Sequence, residues 1–202
     1  MKRKAGYSRK TRETSIKAVL NIDGSGEGRI ITPIGFFTHM LESFTRHGLF
    51  DLDFEAQGDL QTDQHHLIED SGLVLGQVFS RALGGRKGIL RAGYFVYPMD
   101  EALAVSAVDI AGRPYLQFDA DFKRRFCGDM DTDLLEDFFR GFSIGLQCNV
   151  VVRMPFGRND HHKMESVFKA FGRALKTACS LEIRSGDRIP SMKGVIDENR
   201  GD

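Results

Sequence analysis

The sequence predicts an α+β fold made of two similar halves, each a sheet with helices, that arose by internal duplication and pack as one unit. The phrase His-His-x-x-Glu occurs twice, at residues 65–69 and again at 161–165. Each phrase is followed by apolar residues at helical spacing that reach the tripeptide Arg-Ala-Leu, at 81–83 and 173–175. A repeated motif followed by a repeated helical pattern is typical of a duplicated supersecondary unit.

The first half, residues 1–92, begins with a predicted strand. Residues 15–22 alternate apolar and polar side chains, which is the period of a half-buried strand, and the turn sequence Asp-Gly-Ser-Gly at 23–26 ends it. Apolar residues recur at helical spacing over 36–50, so this segment is predicted to be a helix. Alternation returns at 52–56, which predicts a second strand ahead of the first His-His phrase.

The second half, residues 93–202, repeats this scheme. Its periodicity predicts a helix at 133–142. No linker separates it from the first half, so the two halves are predicted to form one compact unit. Strands are predicted from short apolar or alternating runs at 94–96, 104–110, 115–118 and 150–154.

Length and charge exclude several classes of partner. A chain of 202 residues with 41% hydrophobic residues can bury a core without disulfides. Lys plus Arg and Asp plus Glu both number 28, so the net charge of zero argues against nucleic acid or an anionic membrane as partner. No apolar run has the length of a signal peptide or a membrane span, and a cytoplasmic location is predicted. The three cysteines are predicted to be reduced because their number is odd and their spacing wide.

The repeated phrase predicts a metal site. Imidazole nitrogens and carboxylate oxygens are common ligands of divalent transition metals, and the two phrases supply six such groups: His65, His66, Glu69, His161, His162 and Glu165. On a helix the glutamate shares a face with either histidine of its phrase, whereas adjacent histidines diverge by about 100°. One ion therefore cannot easily take both. We interpret the pattern as two metal ions, each bound by one histidine from each phrase, within a chain or across a subunit contact.

Blocks of sequence around the two phrases carry a family resemblance. They include Arg-Lys-Thr-Arg-Glu-Thr at 9–14 and Pro-Met-Asp-Glu-Ala-Leu at 98–103, and they continue at 34–41, 47–51, 58–60, 86–89, 112–115, 157–159, 168–170 and 190–195. In these blocks and their order, the chain resembles the imidazoleglycerol-phosphate dehydratases of histidine biosynthesis. The resemblance implies a lyase that removes water from imidazoleglycerol phosphate to give imidazole acetol phosphate with a pair of divalent ions, normally manganese.

The resemblance also implies roles for individual residues. His39 is expected as a seventh metal ligand, Glu13 as the acid and base, and His47 as a further catalytic residue nearby. Five positions match the family's contacts to the substrate phosphate: Arg91, Arg113, Lys169, Ser191 and Lys193. The family further implies two Mn²⁺ ions per chain, a small phosphate-bearing substrate, and a large homo-oligomer with metal sites at subunit contacts.

The chain departs from the family pattern near the expected site. Val151 stands where a further metal-binding histidine is expected, so one of the two metal sites is expected to be weaker. Thr38 and Gln64 replace aspartates, and the carboxylate expected beside His39 is thereby lost. Two alternatives to the dehydratase stay open: a metal-binding paralogue of the same fold that has lost catalysis, and a two-metal hydrolase of a small phosphate ester.

Overall fold

A computed structural model describes residues 3–196. The last six residues of the predicted second half, 197–202, lie outside the described residues. The helices are α1 (Gly35–Gly48), α2 (His65–Leu83), α3 (Leu134–Leu146) and α4 (Asp160–Cys179), with a 3₁₀ turn at Ile183–Ser185. The strands are β1 (Lys4–Lys10), β2 (Thr14–Asn21), β3 (Ile30–Ile31), β4 (Asp51–Gly58), β5 (Ala92–Met99), β6 (Ala102–Asp109), β7 (Tyr115–Asp119), β8 (Phe126–Cys127), β9 (Met130–Asp131) and β10 (Asn149–Phe156).

Two four-stranded sheets share one topology. The first has the order β1-β2-β4-β3 and the second β5-β6-β10-β7. In each sheet the first two pairings are antiparallel and the last is parallel, β3 with β4 and β7 with β10. Because order and direction agree strand by strand, the predicted α+β fold of two similar halves is confirmed.

The predicted elements are present, with ends that differ by a few residues as helix and strand ends usually do. Strand β1 was not predicted; it is an edge strand whose side chains are alternately exposed and half-buried. Its basic side chains obscured the alternation, although lysines are typical of exposed strand edges. Strands β8 and β9 were also not predicted, because each has only two residues and shows no periodic pattern.

The helices pack between the sheets and pair across the two halves. Helix α2 packs on β1, β2 and β4, and α4 packs on β5 and β6. The strand faces turned toward the helices are fully buried, for example at Leu20 and Phe54 in one sheet and Val150 and Val152 in the other. The two helix pairs that join the halves are α1 with α4 and α2 with α3. Among the described residues, no helix is long and apolar enough to span a membrane.

Glycine allows the helices of each pair to approach closely. A Cβ atom on Gly72 of α2 would lie 2.0 Å from the carbonyl oxygen of Phe138, and one on Gly141 of α3 would lie 2.4 Å from that of Glu69. In the other pair, a Cβ on Gly172 of α4 would lie 2.7 Å from the carbonyl oxygen of Phe44. These distances are shorter than van der Waals contact, so a larger residue would force the helices apart.

We expect Gly72→Ala to lower the free energy of unfolding by about 1–3 kcal/mol, because the added methyl group must displace α3. Thermal unfolding followed by circular dichroism would show this as a fall in Tm of about 2–4 °C per kcal/mol for a chain of this size. Gly85→Ala is the matched control, since the nearest neighbour of its Cβ is the Lys87 side chain at 3.8 Å. Equal Tm values for the Gly72 and Gly85 variants would contradict the close-packing argument.

Candidate metal centre and active site

The second phrase lies in a cluster with His39. Donor atoms of His39, His161 and Glu165 all lie within 4.8 Å of one another. Oε2 of Glu165 is 3.1 Å from Nε2 of His161 and 3.6 Å from Nε2 of His39. Two imidazole nitrogens and a carboxylate oxygen at this spacing fit a divalent metal ion. His39 belongs to α1 and the other two to α4, so the α1–α4 contact assembles the cluster.

Lys169 lies beside this cluster, one helical turn after Glu165. Its Nζ donates a hydrogen bond of 2.8 Å to Oε1 of Glu165, the oxygen turned away from the histidines. Burial alone would raise the pKa of Glu165, but the hydrogen bond and positive charge of Lys169 outweigh it, and the pKa lies below its usual range. The carboxylate is therefore ionised at neutral pH. Of the five predicted phosphate contacts, Lys169 is the one that lies next to the cluster.

Local capping fixes the start of α4. Oδ1 of Asn159 accepts a hydrogen bond from the backbone N–H of His161 at 3.0 Å, as an N-cap residue does. Asp160 and Lys163 form a buried ion pair of 2.9 Å, and Asp160 also accepts from the backbone N–H groups of Lys123 and Arg124. The first turn of α4, which carries both histidines of the phrase, is thereby held to the loop between β7 and β8.

The first phrase lies in a separate cluster. His65 lies between two carboxylates, with Nε2 at 3.8 Å from Oε2 of Glu69 and Nδ1 at 3.5 Å from Oδ2 of Asp137. Nε2 of His66 is 4.0 Å from Oε1 of Glu13, which places the predicted acid and base beside the phrase. Within one subunit, each phrase therefore contacts the donors of its own cluster.

Asp137 is the structural counterpart of His39. Helices α1 and α3 occupy the same place in the two halves, and each ends at a left-handed C-cap residue, Leu49 and Gln147. His39 and Asp137 each lie ten residues before that C-cap. Each also reaches from one half to the phrase of the other half. Asp137 was not predicted as a site residue, although the two helical patterns end at corresponding points and could have indicated it.

Val151 lies away from α4. It is on β10, paired with Ala107 and Gln117 of the neighbouring strands, and is half-buried. Its neighbours Val150 and Val152 are fully buried on the face turned toward the helices, so Val151 points to the opposite face of the sheet. A donor at this position would therefore not join His161 or Glu165 of the same subunit.

In each phrase, one carboxylate orients the second histidine. Nδ1 of His66 donates to Asp59 at 3.2 Å, and Nδ1 of His162 donates to Oε2 of Glu101 at 2.8 Å. The hydrogen bond from His162 and those from backbone N–H groups hold the pKa of Glu101 at about 2. The hydrogen bonds to the carboxylates raise the pKa values of His66 and His162. Asp59 and Glu101 lie within the motifs that carry the family resemblance, but no role was predicted for either residue.

Thr38 and Gln64, the residues that stand in place of the two aspartates, make other contacts. Oγ1 of Thr38 is 2.9 Å from Oγ1 of Thr32. The side-chain amide of Gln64 donates to the carbonyl oxygen of Asp129 at 2.7 Å and accepts from the N–H of Asp131 at 3.0 Å. The carboxylate of Asp129 in turn accepts from two backbone N–H groups at the start of α1. Gln64 thus connects the starts of α1 and α2 through the β8–β9 hairpin.

The other four predicted phosphate contacts lie at the far end of the second sheet. Arg91 forms a bidentate ion pair with Asp109 at the end of β6, with distances of 2.7 and 3.0 Å, and donates to the carbonyl oxygen of Pro190. The segment with Ser191 and Lys193 follows Pro190, and the backbone at residue 196 packs against Gly112, next to Arg113. Strand β6 separates this end from Glu101 and the second phrase by about 24 Å, at roughly 3.4 Å per residue.

A pocket of about 490 Å³ opens beside the second cluster. Its lining includes His39, Ser43, His47, Glu165 and Lys169. The His47 ring packs edge-on against Tyr97 with ring centroids 5.3 Å apart. Burial, with added repulsion from Lys169 and Arg173, lowers the pKa of His47, so its imidazole is neutral near pH 7. The pocket is suited to a small polar ligand.

The fold and these clusters define the chain as a duplicated α+β protein with clustered histidine and carboxylate side chains at the contacts between its halves. Known proteins with this organisation identify the family. A family model described as imidazoleglycerol-phosphate dehydratase matches residues 32–175. The chain belongs to the imidazoleglycerol-phosphate dehydratase family, and the resemblance in its sequence is confirmed.

Individual relatives cover nearly the whole chain. The imidazoleglycerol-phosphate dehydratase of Koribacter versatilis is 53% identical over 194 residues, which are 96% of this chain and 100% of that protein. That of Caldicellulosiruptor bescii is 52% identical and covers 96% of this chain and 98% of its own. The solved structure from Pyrococcus furiosus matches with a TM-score of 0.82 and 33% identity over 94% of this chain and 99% of that one. The structure from Staphylococcus aureus matches with a TM-score of 0.79 and 38% identity, over 88% of this chain and 100% of that one.

Proposed function

We propose that this protein is a metal-dependent lyase that dehydrates imidazoleglycerol phosphate to imidazole acetol phosphate in histidine biosynthesis. The observation that carries the proposal is the pair of histidine and carboxylate clusters on corresponding helices, in a chain of this family. The pocket beside the second cluster offers Lys169 and the neutral His47 to a small polar substrate.

We further propose that each chain contributes to two Mn²⁺ sites. His39, His161 and Glu165 supply donors to one. To the other we assign His65 and the carboxylates on either side of its ring, Glu69 beside Nε2 and Asp137 beside Nδ1, so the ring or one carboxylate must turn for all three to reach one ion. When bound, the ions stabilise negative charge that develops on the substrate's imidazole ring. His66 and His162 diverge from their neighbours, with ring planes at 81° and 85°, and would complete sites shared with another subunit.

Glu13 is the proposed acid and base. Its carboxylate is 54% exposed and 4.0 Å from Nε2 of His66, so a substrate held near that nitrogen would lie within reach of a proton donor and acceptor. Thr11 supports its turn, since Oγ1 accepts from the backbone N–H groups of Glu13 and Thr14. The residue is thus presented on an ordered turn with its carboxylate beside His66.

The separation of the phosphate contacts from the second cluster supports a site shared between subunits. Arg113, Ser191 and Lys193 lie about 24 Å along the sheet from Glu101 and His162. A substrate with its phosphate a few bonds from the reacting carbon cannot reach both ends of one subunit. We propose that the far end of one subunit meets the metal cluster of another in a large homo-oligomer.

The function is tested by turnover of imidazoleglycerol phosphate on protein reconstituted with manganese, with metal counted on the same sample. We expect two ions per chain and turnover. Glu13→Gln should keep the metal content and lose turnover, because it removes the proton donor and leaves the histidines intact. One ion or fewer without turnover would favour the lapsed paralogue, and release of inorganic phosphate would favour the hydrolase.

Asp137→Ala is expected to weaken Mn²⁺ binding at one site by about 10-fold or more, because a donor at the first cluster is lost. Titration calorimetry on the metal-free protein would measure it, and Asp137→His should restore binding by supplying an imidazole. Val151→Ala is the matched control, with no effect expected. The assignment of Asp137 is wrong if Asp137→Ala leaves binding unchanged while Val151→His strengthens it.

The shared site is tested by subunit complementation. His161→Ala and Lys193→Ala are each expected to be inactive alone. Co-assembled in equal amounts, they should recover activity at about one quarter of the sites, where intact halves from different subunits meet. If cluster and phosphate contacts belong to one subunit, no mixed assembly recovers activity.

A further inference from the structure

Duplication placed a glutamate at the same point in both halves. Glu13 directly precedes β2 and Glu101 directly precedes β6, and these are corresponding strands of the two hairpins. Each glutamate approaches the second histidine of the phrase in its own half. They approach opposite nitrogens, because Oε1 of Glu13 is 4.0 Å from Nε2 of His66 whereas Oε2 of Glu101 is 2.8 Å from Nδ1 of His162.

The backbone before α4 fixes the orientation of Glu101. Its Oε1 accepts from the N–H groups of Arg158 and Asn159 at 3.2 and 2.7 Å. That leaves Oε2 for His162. The carboxylate therefore joins the β5–β6 turn, the loop before α4 and the histidine ring in one hydrogen-bonded unit.

An ionised carboxylate only accepts hydrogen bonds, so Nδ1 of His162 must carry the proton and Nε2 the lone pair. We propose that Glu101 is a positioning residue that holds His162 in the tautomer whose Nε2 carries the lone pair and can bind a metal ion. The exposed carboxylate of Asp100 lies 3.7 Å from this nitrogen. Asp59 acts as Glu101 does, on His66 in the first half, with its oxygens 3.2 and 3.3 Å from Nδ1. The inference rests on the proposed function, since it takes these histidines to be ligands.

Replacing Glu101 by glutamine separates this role from a merely structural one. The amide oxygen of glutamine would stay with the two backbone N–H groups, so its NH₂ group would face Nδ1 of His162. Nδ1 must then accept, and the proton moves to Nε2, where it blocks metal binding. Alanine removes the contact and leaves the ring free to adopt either tautomer. The proposal thus predicts that Glu101→Gln binds metal more weakly than Glu101→Ala.

A structural role predicts the opposite order. Glutamine retains the acceptor for the loop before α4, whereas alanine removes it, so a role confined to holding the loop would make alanine the more damaging change. The two variants therefore give opposite rankings from the same measurement. Glu101→Asp, which keeps the charge on a shorter chain, should restore part of the affinity.

The experiment measures Mn²⁺ affinity by titration calorimetry and the His162 tautomer by ¹⁵N NMR of metal-free protein at alkaline pH, where the ring is neutral. We expect Glu101→Gln to lose about 10- to 100-fold in affinity and to show the proton on Nε2. Equal or tighter binding by Glu101→Gln than by Glu101→Ala, or a proton that stays on Nδ1, would overturn the proposal.

Both readouts are independent of turnover, so an inactive wild-type protein would refute the proposed function without affecting this test. Circular dichroism checks that the variants fold. If Glu101→Gln does not fold, Asp59→Asn tests the same inference at His66, and an unchanged His66 tautomer with unchanged Mn²⁺ affinity would overturn it there.

Discussion

The close packing of helices across the two halves is the constraint on which both histidine and carboxylate clusters depend. Glycines at the α2–α3 and α1–α4 contacts bring backbones together at distances where a Cβ atom would overlap a carbonyl oxygen. The α1–α4 contact places His39 of the first half beside Glu165 of the second, and the α2–α3 contact places Asp137 of the second half beside His65 of the first. Each cluster therefore exists only when both halves are folded against each other. A half on its own would present a phrase without its third donor.

The two clusters share a scaffold but differ in charge. The second holds an imidazole from α1 and balances Glu165 with Lys169, whereas the first holds a carboxylate, Asp137, at the corresponding position. Carboxylate oxygens favour hard ions such as manganese more strongly than imidazole does. The same scaffold thus offers two donor sets of different hardness. Divergence after duplication has changed the ligands while the helix packing stayed the same.

The elements and motifs that depend on nearby residues could be predicted from the sequence, whereas the contacts that depend on packing between distant elements could not. The phrases and the helices that follow them were predictable, because the residue types and their spacing lie within one continuous segment of the chain. The partners of the histidines were not, since Glu101 lies 61 residues from His162 and meets it only through the β5–β6 turn. The position of Val151 could be counted back from the second phrase, but the face of the sheet to which its side chain points could not. The alternation of β10 points this side chain away from α4. Gln64 stands where the family pattern has an aspartate, and its contacts, which join the β8–β9 hairpin to α2, could not be predicted from that replacement.

The distance between the two ends of the second sheet also limits how subunits can assemble. The metal cluster at one end and the basic segment at the other are different surfaces, so a contact that joins them is heterologous. Heterologous contacts either close into a ring or extend into an open filament. If the site is shared between subunits as proposed, an open filament leaves incomplete sites at both of its ends, whereas a closed ring completes every site. The proposal of a shared site therefore goes together with a closed assembly in which every cluster meets the basic end of a neighbour.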